Sequence, residues 1–460
     1  MREGRSGSPA EPGWGWLGAI SLLLALIGIF LLFVGLVDSA LGGLSGERPE
    51  GTAFVAGAVC GLLSVLAGVV GWLKTKGRGA VRAWPVFAGL IGVLVLVVGA
   101  WGGYENRARP AAECRNWDPP PAGSPTSNVL TGVAATSASD AWAVGRCSAG
   151  DPDKTFILHW DGSTWERQPS PNVGWGINTL DGVAAISPSD AWAVGQFAPE
   201  GGTSYRPLIL HWDGTGWTRQ PTPDDGQPFY SLRGAAATSS SDAWAVGPGN
   251  SGAVILHWDG TAWTHQAVPE LGPGIYPSLF GVAATSASDA WAVGSYGWLT
   301  EEPLQGVIFH WDGVAWTSQP IPHVGTGGNF LSAVTATSPS NAWAVGWRED
   351  GTGQRALILH WDGRAWTRQP SPEASIGIGS GESLNGVAAA SPSNAWAVGT
   401  RGQDRLVLCW NGSTWEERSS SVGTDANILN GVAALSPSRG LAVGINGDGT
   451  AARALVAPCQ

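Results

Sequence analysis

The chain has 460 residues, a formal net charge of −11, 68 glycines and 27 tryptophans, and the length leaves room for more than one domain. The charge is unevenly divided: residues 113–460 carry 16 basic against 30 acidic side chains, and Lys154 is their only lysine. A surface this acidic repels phosphate backbones, which argues against nucleic acid as a partner.

After a short stretch over 1–13, three apolar runs span Trp14–Val37, Gly51–Leu73 and Trp84–Tyr104. They hold no ionisable side chain before Tyr104, and about 20 apolar residues suffice to cross a bilayer as a helix. The spacing therefore predicts three transmembrane helices over 14–37, 51–73 and 84–104. Lys74, Lys76, Arg78 and Arg82 crowd the second connection and place it in the cytoplasm. The N-terminus then lies inside and everything after the third run outside, making a multi-pass protein of the cell membrane. No charged residue sits mid-run, so a transport role has nothing to carry it.

Beyond a linker at 105–112, a unit of roughly fifty residues recurs seven times over 113–460. The first copy reads LTGVAATSASDAWAVG from Leu130 and ILHWDGSTWERQPSP from Ile157. The tryptophan of AWAVG returns at Trp192, Trp244, Trp291, Trp343 and Trp396, with Leu441 in its place in the last copy. Each copy offers four short strand-like stretches divided by turn signals. Four antiparallel strands per unit of this length predict an all-β seven-bladed β-propeller behind the membrane region. Small residues suit a strand lining the axis, the tryptophans fill the wider space between blades, and prolines such as Pro221 are tolerated on an outer edge.

The last copy stops after its third strand-like stretch. Trp117 precedes Gly132 by 15 residues, close to the 16 to 20 that separate each fourth-stretch tryptophan from the next first stretch. The segment around Trp117 is therefore expected to close the ring. Repeat alignment sets Cys114 and Cys459 across one hairpin, which predicts a disulfide between them in an oxidising exterior. Cys409 replaces the repeat histidine and reads as a small buried hydrophobe, while Cys147 has no evident partner.

His159, His211, His257, His310 and His360 occur one per copy, too far apart around a ring to share a metal ion. Each is expected to bond an Asp or hydroxyl of its own blade. Asp161, Asp213, Asp259, Asp312 and Asp362 lead Asp-Gly turns. No catalytic residue, metal site or cofactor is indicated.

The HWDGSTW element from His159 resembles the Asp-box (BNR) repeat of sialidase-like propellers, with one residue fewer between Asp and Trp. The AWAVG and HWDG elements together look like repeats of bacterial surface propellers, and the period is kelch-like. The resemblance covers Cys114 onward and implies the fold; enzymes, assembly factors and binding proteins share such repeats. Sialidase-like enzymes set three arginines around a substrate carboxylate, and only Arg233 lies beside a first strand here.

Function should lie where the copies differ. The connection between the second and third stretches varies from 10 to 16 residues, the link between copies varies too, and both emerge on one face of a propeller. These loops carry Trp175, Tyr205, Phe229, Tyr230, Tyr276, Tyr296, Trp298 and Trp347 as candidate ligand-binding residues. Rings among carboxylates suit a carbohydrate, a peptide or a basic protein. The expectation is a membrane-anchored, extracytoplasmic, non-catalytic binding, sensing or interaction module. The alternatives are a surface glycan-active enzyme of sialidase-like type and an assembly factor for membrane complexes.

Overall fold

Alternating small and β-branched residues between Ser/Asp/Gly turns leave each repeat one regular solution, an antiparallel meander. In a computed structural model the described residues run from 127 to 456, apart from 149–151, 175, 199–203, 224–229, 298–302, 323, 325–326, 352, 373–380, 419–427, 437–438 and 446–450. The chain divides into two units, Met1–Ala108 and Arg109–Gln460, and the described residues belong to the second. The first copy forms strands Ser127–Ser137, Asp140–Ser148, Lys154–Trp160 and Trp165–Gln168, hydrogen-bonded in that order. Five further copies repeat the arrangement, giving six four-stranded blades. The last copy forms a three-stranded sheet over Ile428–Ser436, Arg439–Ile445 and Ala451–Val456. First strands of neighbouring blades pack side by side, and that of blade one also packs against that of the last sheet. The fold is a β-propeller.

The expected fold class is corrected. Instead of seven four-stranded blades, six are complete among the described residues, because the last copy lacks the Trp-Asp-Gly-x-x-Trp hairpin that builds strand four elsewhere. Instead of three transmembrane helices ahead of the propeller, the described residues hold no helix, and so none long and apolar enough to cross a membrane. The apolar runs themselves, the segment around Trp117 and the Cys114–Cys459 pair lie outside the described residues. Cys147 and Cys409 are 0% and 1% exposed and are each disulfide-bonded, which revises the reading of both.

Tryptophans join each blade to the next. Trp142 is fully buried, lies on His159 of its own blade at 4.2 Å, and meets two rings of blade two. These are Trp212 at 5.0 Å and Trp217, edge-to-face, at 5.1 Å. The same triad recurs from Trp192, Trp244, Trp291 and Trp343 to the blade that follows each. Such pairs stabilise beyond their buried area by roughly 0.5–1.5 kcal/mol each. At the closure, Leu435 and Leu441 of the last sheet pack with Trp160 and Trp165 of blade one.

The polar repeat positions are absorbed by the scaffold. His159 Nε2 donates to Asp140 Oδ1 at 2.7 Å, and Thr136 Oγ1 donates to the other carboxylate oxygen. Blades two, three and four repeat the His–Asp bond, and in blade five His360 donates to Asn341. Asp161 Oδ1 accepts the backbone N–H groups of Ser163 and Thr164, both at 2.7 Å. These bonds hold its carboxyl far below the usual range. The turn needs Gly162 at φ +95°, a region that only glycine enters freely.

Candidate ligand-binding face

Strand one enters each blade from the face where the variable loops emerge. A register shift between Leu130 and Gly132 leaves Thr131 as a bulge, and the same shift falls at Asp181, Phe280, Ser332, Asn385 and Asn430. Arg233 takes this place in blade three, ahead of its shorter first strand, Gly234–Ser239. The leucines before these residues are fully buried while the bulge residues are not. Their side chains reach across to adjoining blades. Thr131 Oγ1 donates to Leu180 O at 2.6 Å, Asn385 Nδ2 to Leu429 O at 2.9 Å, and Asn430 Nδ2 to Leu130 O at 2.8 Å. Arg233 Nη1 donates to Asp181 Oδ1 at 3.1 Å. Burial raises the pKa of Asp181, against the opposing charges of Arg233 and Arg146. In blade four the bulge residue is aromatic: Phe280 lies 4.8 Å from Phe330, two residues before blade five's bulge, and Phe330 stacks on Trp347 at 5.9 Å and 9°.

The ring residues named from the sequence divide into three groups. Trp175, Phe229 and Trp298 lie outside the described residues. Tyr230 is 5% exposed, donates from Oη to Pro223 O at 2.8 Å and meets His265 edge-on, so it fastens a loop. Tyr205 and Tyr276 are exposed, at 38% and 55%, while Tyr296 and Trp347 are partly buried.

Among the described residues of the set, Tyr276 and Tyr296 are brought together. They line a cavity of about 590 Å³ between blades three and four, mostly apolar, with Pro248, Pro277, Pro303, Ile275 and Phe280 in its wall. Besides the two tyrosines, Asn250, Ser278 and Gln305 are the polar side chains among its described lining residues, and none of these described side chains is ionised at neutral pH. Trp347 connects to the rim through Phe330 and Phe280. Tyr205 belongs to a different stretch of the face, ahead of the strand Arg206–Trp212 in blade two. Sequence reasoning missed Phe280, although its place at the bulge, where other copies carry Thr, Asp, Ser or Asn, was a usable signal. Among the described residues no group of His, Cys, Asp and Glu is placed to hold a metal ion.

No protein-family model matches the chain. No curated protein is significantly similar to it. Solved structures similar to it include YCF48 bound to a D1 peptide, 18% identical, covering 73% of this chain and 95% of that one with a TM-score of 0.48. A polysaccharide lyase, PL25 ulvan lyase bound to a GlcA–Rha3S saccharide, is 10% identical over 73% of this chain and 95% of that one, with a TM-score of 0.46. The six-bladed fungal lectin of Aleuria aurantia is 13% identical over 60% and 91%, with a TM-score of 0.40. At these identities and scores the likeness adds nothing to the topology already described.

Proposed function

We propose that the protein is a non-catalytic binding module that meets its ligand on the variable-loop face, at the cleft of Tyr276 and Tyr296. One observation carries this reading: a tyrosyl ring left 55% exposed beside a cavity of about 590 Å³, between loops the repeats do not share. Clefts that hold small ligands fall at roughly 300–1,000 Å³ and combine apolar walls with a few polar groups. The non-catalytic reading is supported by the described part of the wall, whose side chains include no carboxylate, imidazole or guanidinium. Asp181 and Arg233, the acid and base at the bulge positions, are bonded to each other. The apolar runs over 14–37, 51–73 and 84–104 and the basic cluster from Lys74 to Arg82 support attachment to a membrane, with the propeller on the extracytoplasmic side.

The full-length protein in detergent, screened against arrays of saccharides and peptides, should bind a ligand that Tyr276→Ala no longer holds while its thermal melt is unchanged. Turnover of a chromogenic glycoside would overturn the non-catalytic reading. Protease added outside sealed vesicles of known orientation should cut the loop near Tyr205 if the propeller is extracytoplasmic. Protection of that loop would place it on the other side.

A further inference from the structure

We propose that Asn411 is a site of spontaneous modification, where the side-chain amide cyclises onto the next peptide nitrogen and hydrolyses to aspartyl and isoaspartyl products. Five copies open the turn between strands three and four with Asp161, Asp213, Asp259, Asp312 and Asp362, and the sixth opens it with Asn411 followed by Gly412. The Asn411 side chain folds back over the residues after it. Its Oδ1 accepts from the N–H groups of Ser413 and Thr414, both at 3.0 Å, and from Ser413 Oγ at 2.8 Å. The carboxamide is thereby held over the turn that contains the Gly412 nitrogen. Attack at Cγ puts negative charge on Oδ1, and donors already bonded to that oxygen stabilise it. Gly412, at φ +94°, has no Cβ to shield its nitrogen. Residues 411 to 414 are all exposed, so water and base reach the reacting atoms.

The reaction consumes one water and releases one ammonia. The Gly412 nitrogen gives up its proton to solvent base and bonds to Asn411 Cγ. The bond from Cγ to Nδ2 then breaks, and the amide leaves as ammonia with a proton from water. Water opens the resulting succinimide at either carbonyl, which yields aspartate or an isoaspartyl linkage. The aspartates of the other copies sit in the same turn but resist this chemistry, because an ionised carboxylate is a poor electrophile. Turn hydrogen bonds hold Asp213 and Asp259 down at a pKa of about 2. Two further Asn-Gly pairs serve as internal comparisons. Asn385 and Asn430 lie part-buried on the strands Glu382–Ser391 and Ile428–Ser436. Each commits its Nδ2 across a blade boundary, to Leu429 O at 2.9 Å and to Leu130 O at 2.8 Å. Cyclisation there has to break that bond and open a paired strand first.

The test holds the full-length protein, in detergent, in mildly alkaline buffer at physiological temperature. Samples are digested at intervals, and tandem mass spectrometry reads the peptides that contain Asn411, Asn385 and Asn430. Asn411 should acquire the mass of amide-to-acid exchange first, as a mixture of aspartyl and isoaspartyl forms. Its rate should exceed that of either strand asparagine by about tenfold or more, because turns open at almost no cost and paired strands do not. In urea-unfolded protein the three rates should converge, since each asparagine precedes a glycine. Convergence in urea together with a native Asn411 no faster than Asn385 or Asn430 would overturn the assignment. An advantage of Asn411 that persists in urea would overturn it as well, since local sequence and not the folded turn would then set the rate.

Discussion

At the scale of single residues, the repeat's most chemical-looking positions are hydrogen-bonding parts of the scaffold, and one of them differs instructively. Burial works against the carboxylates of Asp242 and Asp289, but bonds from His257 and Thr238, and from His310 and Thr285, prevail and hold both below their usual pKa. A carboxylate with a depressed folded pKa stabilises above its unfolded value, and that contribution fades as pH falls through the folded one. Blade five replaces the acid by Asn341, which accepts from His360 Nε2 at 2.8 Å and donates to Thr337 Oγ1 at 2.7 Å. Burial lowers the pKa of His360, opposed by Asp362. Its unfolded form therefore takes up a proton first, and stability declines as pH drops below about 6.5. Asn341→Asp should weaken that dependence by giving the imidazolium a carboxylate. Urea denaturation at about pH 7 and about pH 5.5 should show the variant losing less stability than the parent, by about 0.5–1 kcal/mol after allowance for partial exposure. Parallel losses would refute it. This pairing was legible in advance: the acid opens strand two and the histidine faces Trp142 across the ladder, so one blade had to satisfy both.

At the scale of the strand, the glycine that ends AWAVG is explained by the bulge opposite it. A Cβ on Gly247 would lie 1.8 Å from Ser231 O, and on Gly145 1.9 Å from Val129 O, because strand one crosses directly over the residue. Gly247→Ala should therefore lower the melting temperature by an amount equivalent to more than about 2 kcal/mol, or prevent folding. Gly216→Ala should be silent, since nothing lies within 4 Å of its Cβ and other copies carry Thr164 or Ala262 there. Equal effects would mean that the bulge is not the constraint. Strands, turns and tryptophan positions were readable because each depends on local period and repeats in every copy. The face was only partly readable, because loop burial is set by what each loop packs on. Tyr230 and Tyr276 look alike in sequence, yet one fastens its loop and the other stands in solvent. Repeat alignment held the clue for the first: Tyr230 falls two residues before Leu232, where other copies place Asn178, which ties down the loop at Val173, and Asn329, which accepts from Gly306 N in the preceding blade.

At the scale of the whole ring, the seam is where, among the described residues, the inter-blade tryptophan contacts stop. Five blades hand a buried tryptophan to two rings of the next, but Trp396 meets the last sheet through Leu429, Val432 and Ala442. There Gly440 sits where other copies have alanine, so close that a Cβ would lie 3.3 Å from the Trp396 ring. On the far side, Leu441 stands in for the tryptophan that elsewhere engages the following blade. Among the described residues, aliphatic contacts stand at both flanks of the last sheet, and the bond from Asn430 Nδ2 to Leu130 O is a specific polar tie across the closure. Asn385 makes the same bond to Leu429 O one step earlier, so the two form a matched pair for comparison. Regions with weaker packing open first, and a net backbone-directed hydrogen bond contributes about 0.5–1.5 kcal/mol. Native-state hydrogen exchange should find Ile428–Ser436 and Arg439–Ile445 less protected than the equivalent strands of blades two to five. Asn430→Ala should raise exchange in those strands and in Ser127–Ser137 together, while Asn385→Ala should leave Ser127–Ser137 unchanged. A uniform response of all first strands to either substitution would show that the ring opens only as a whole.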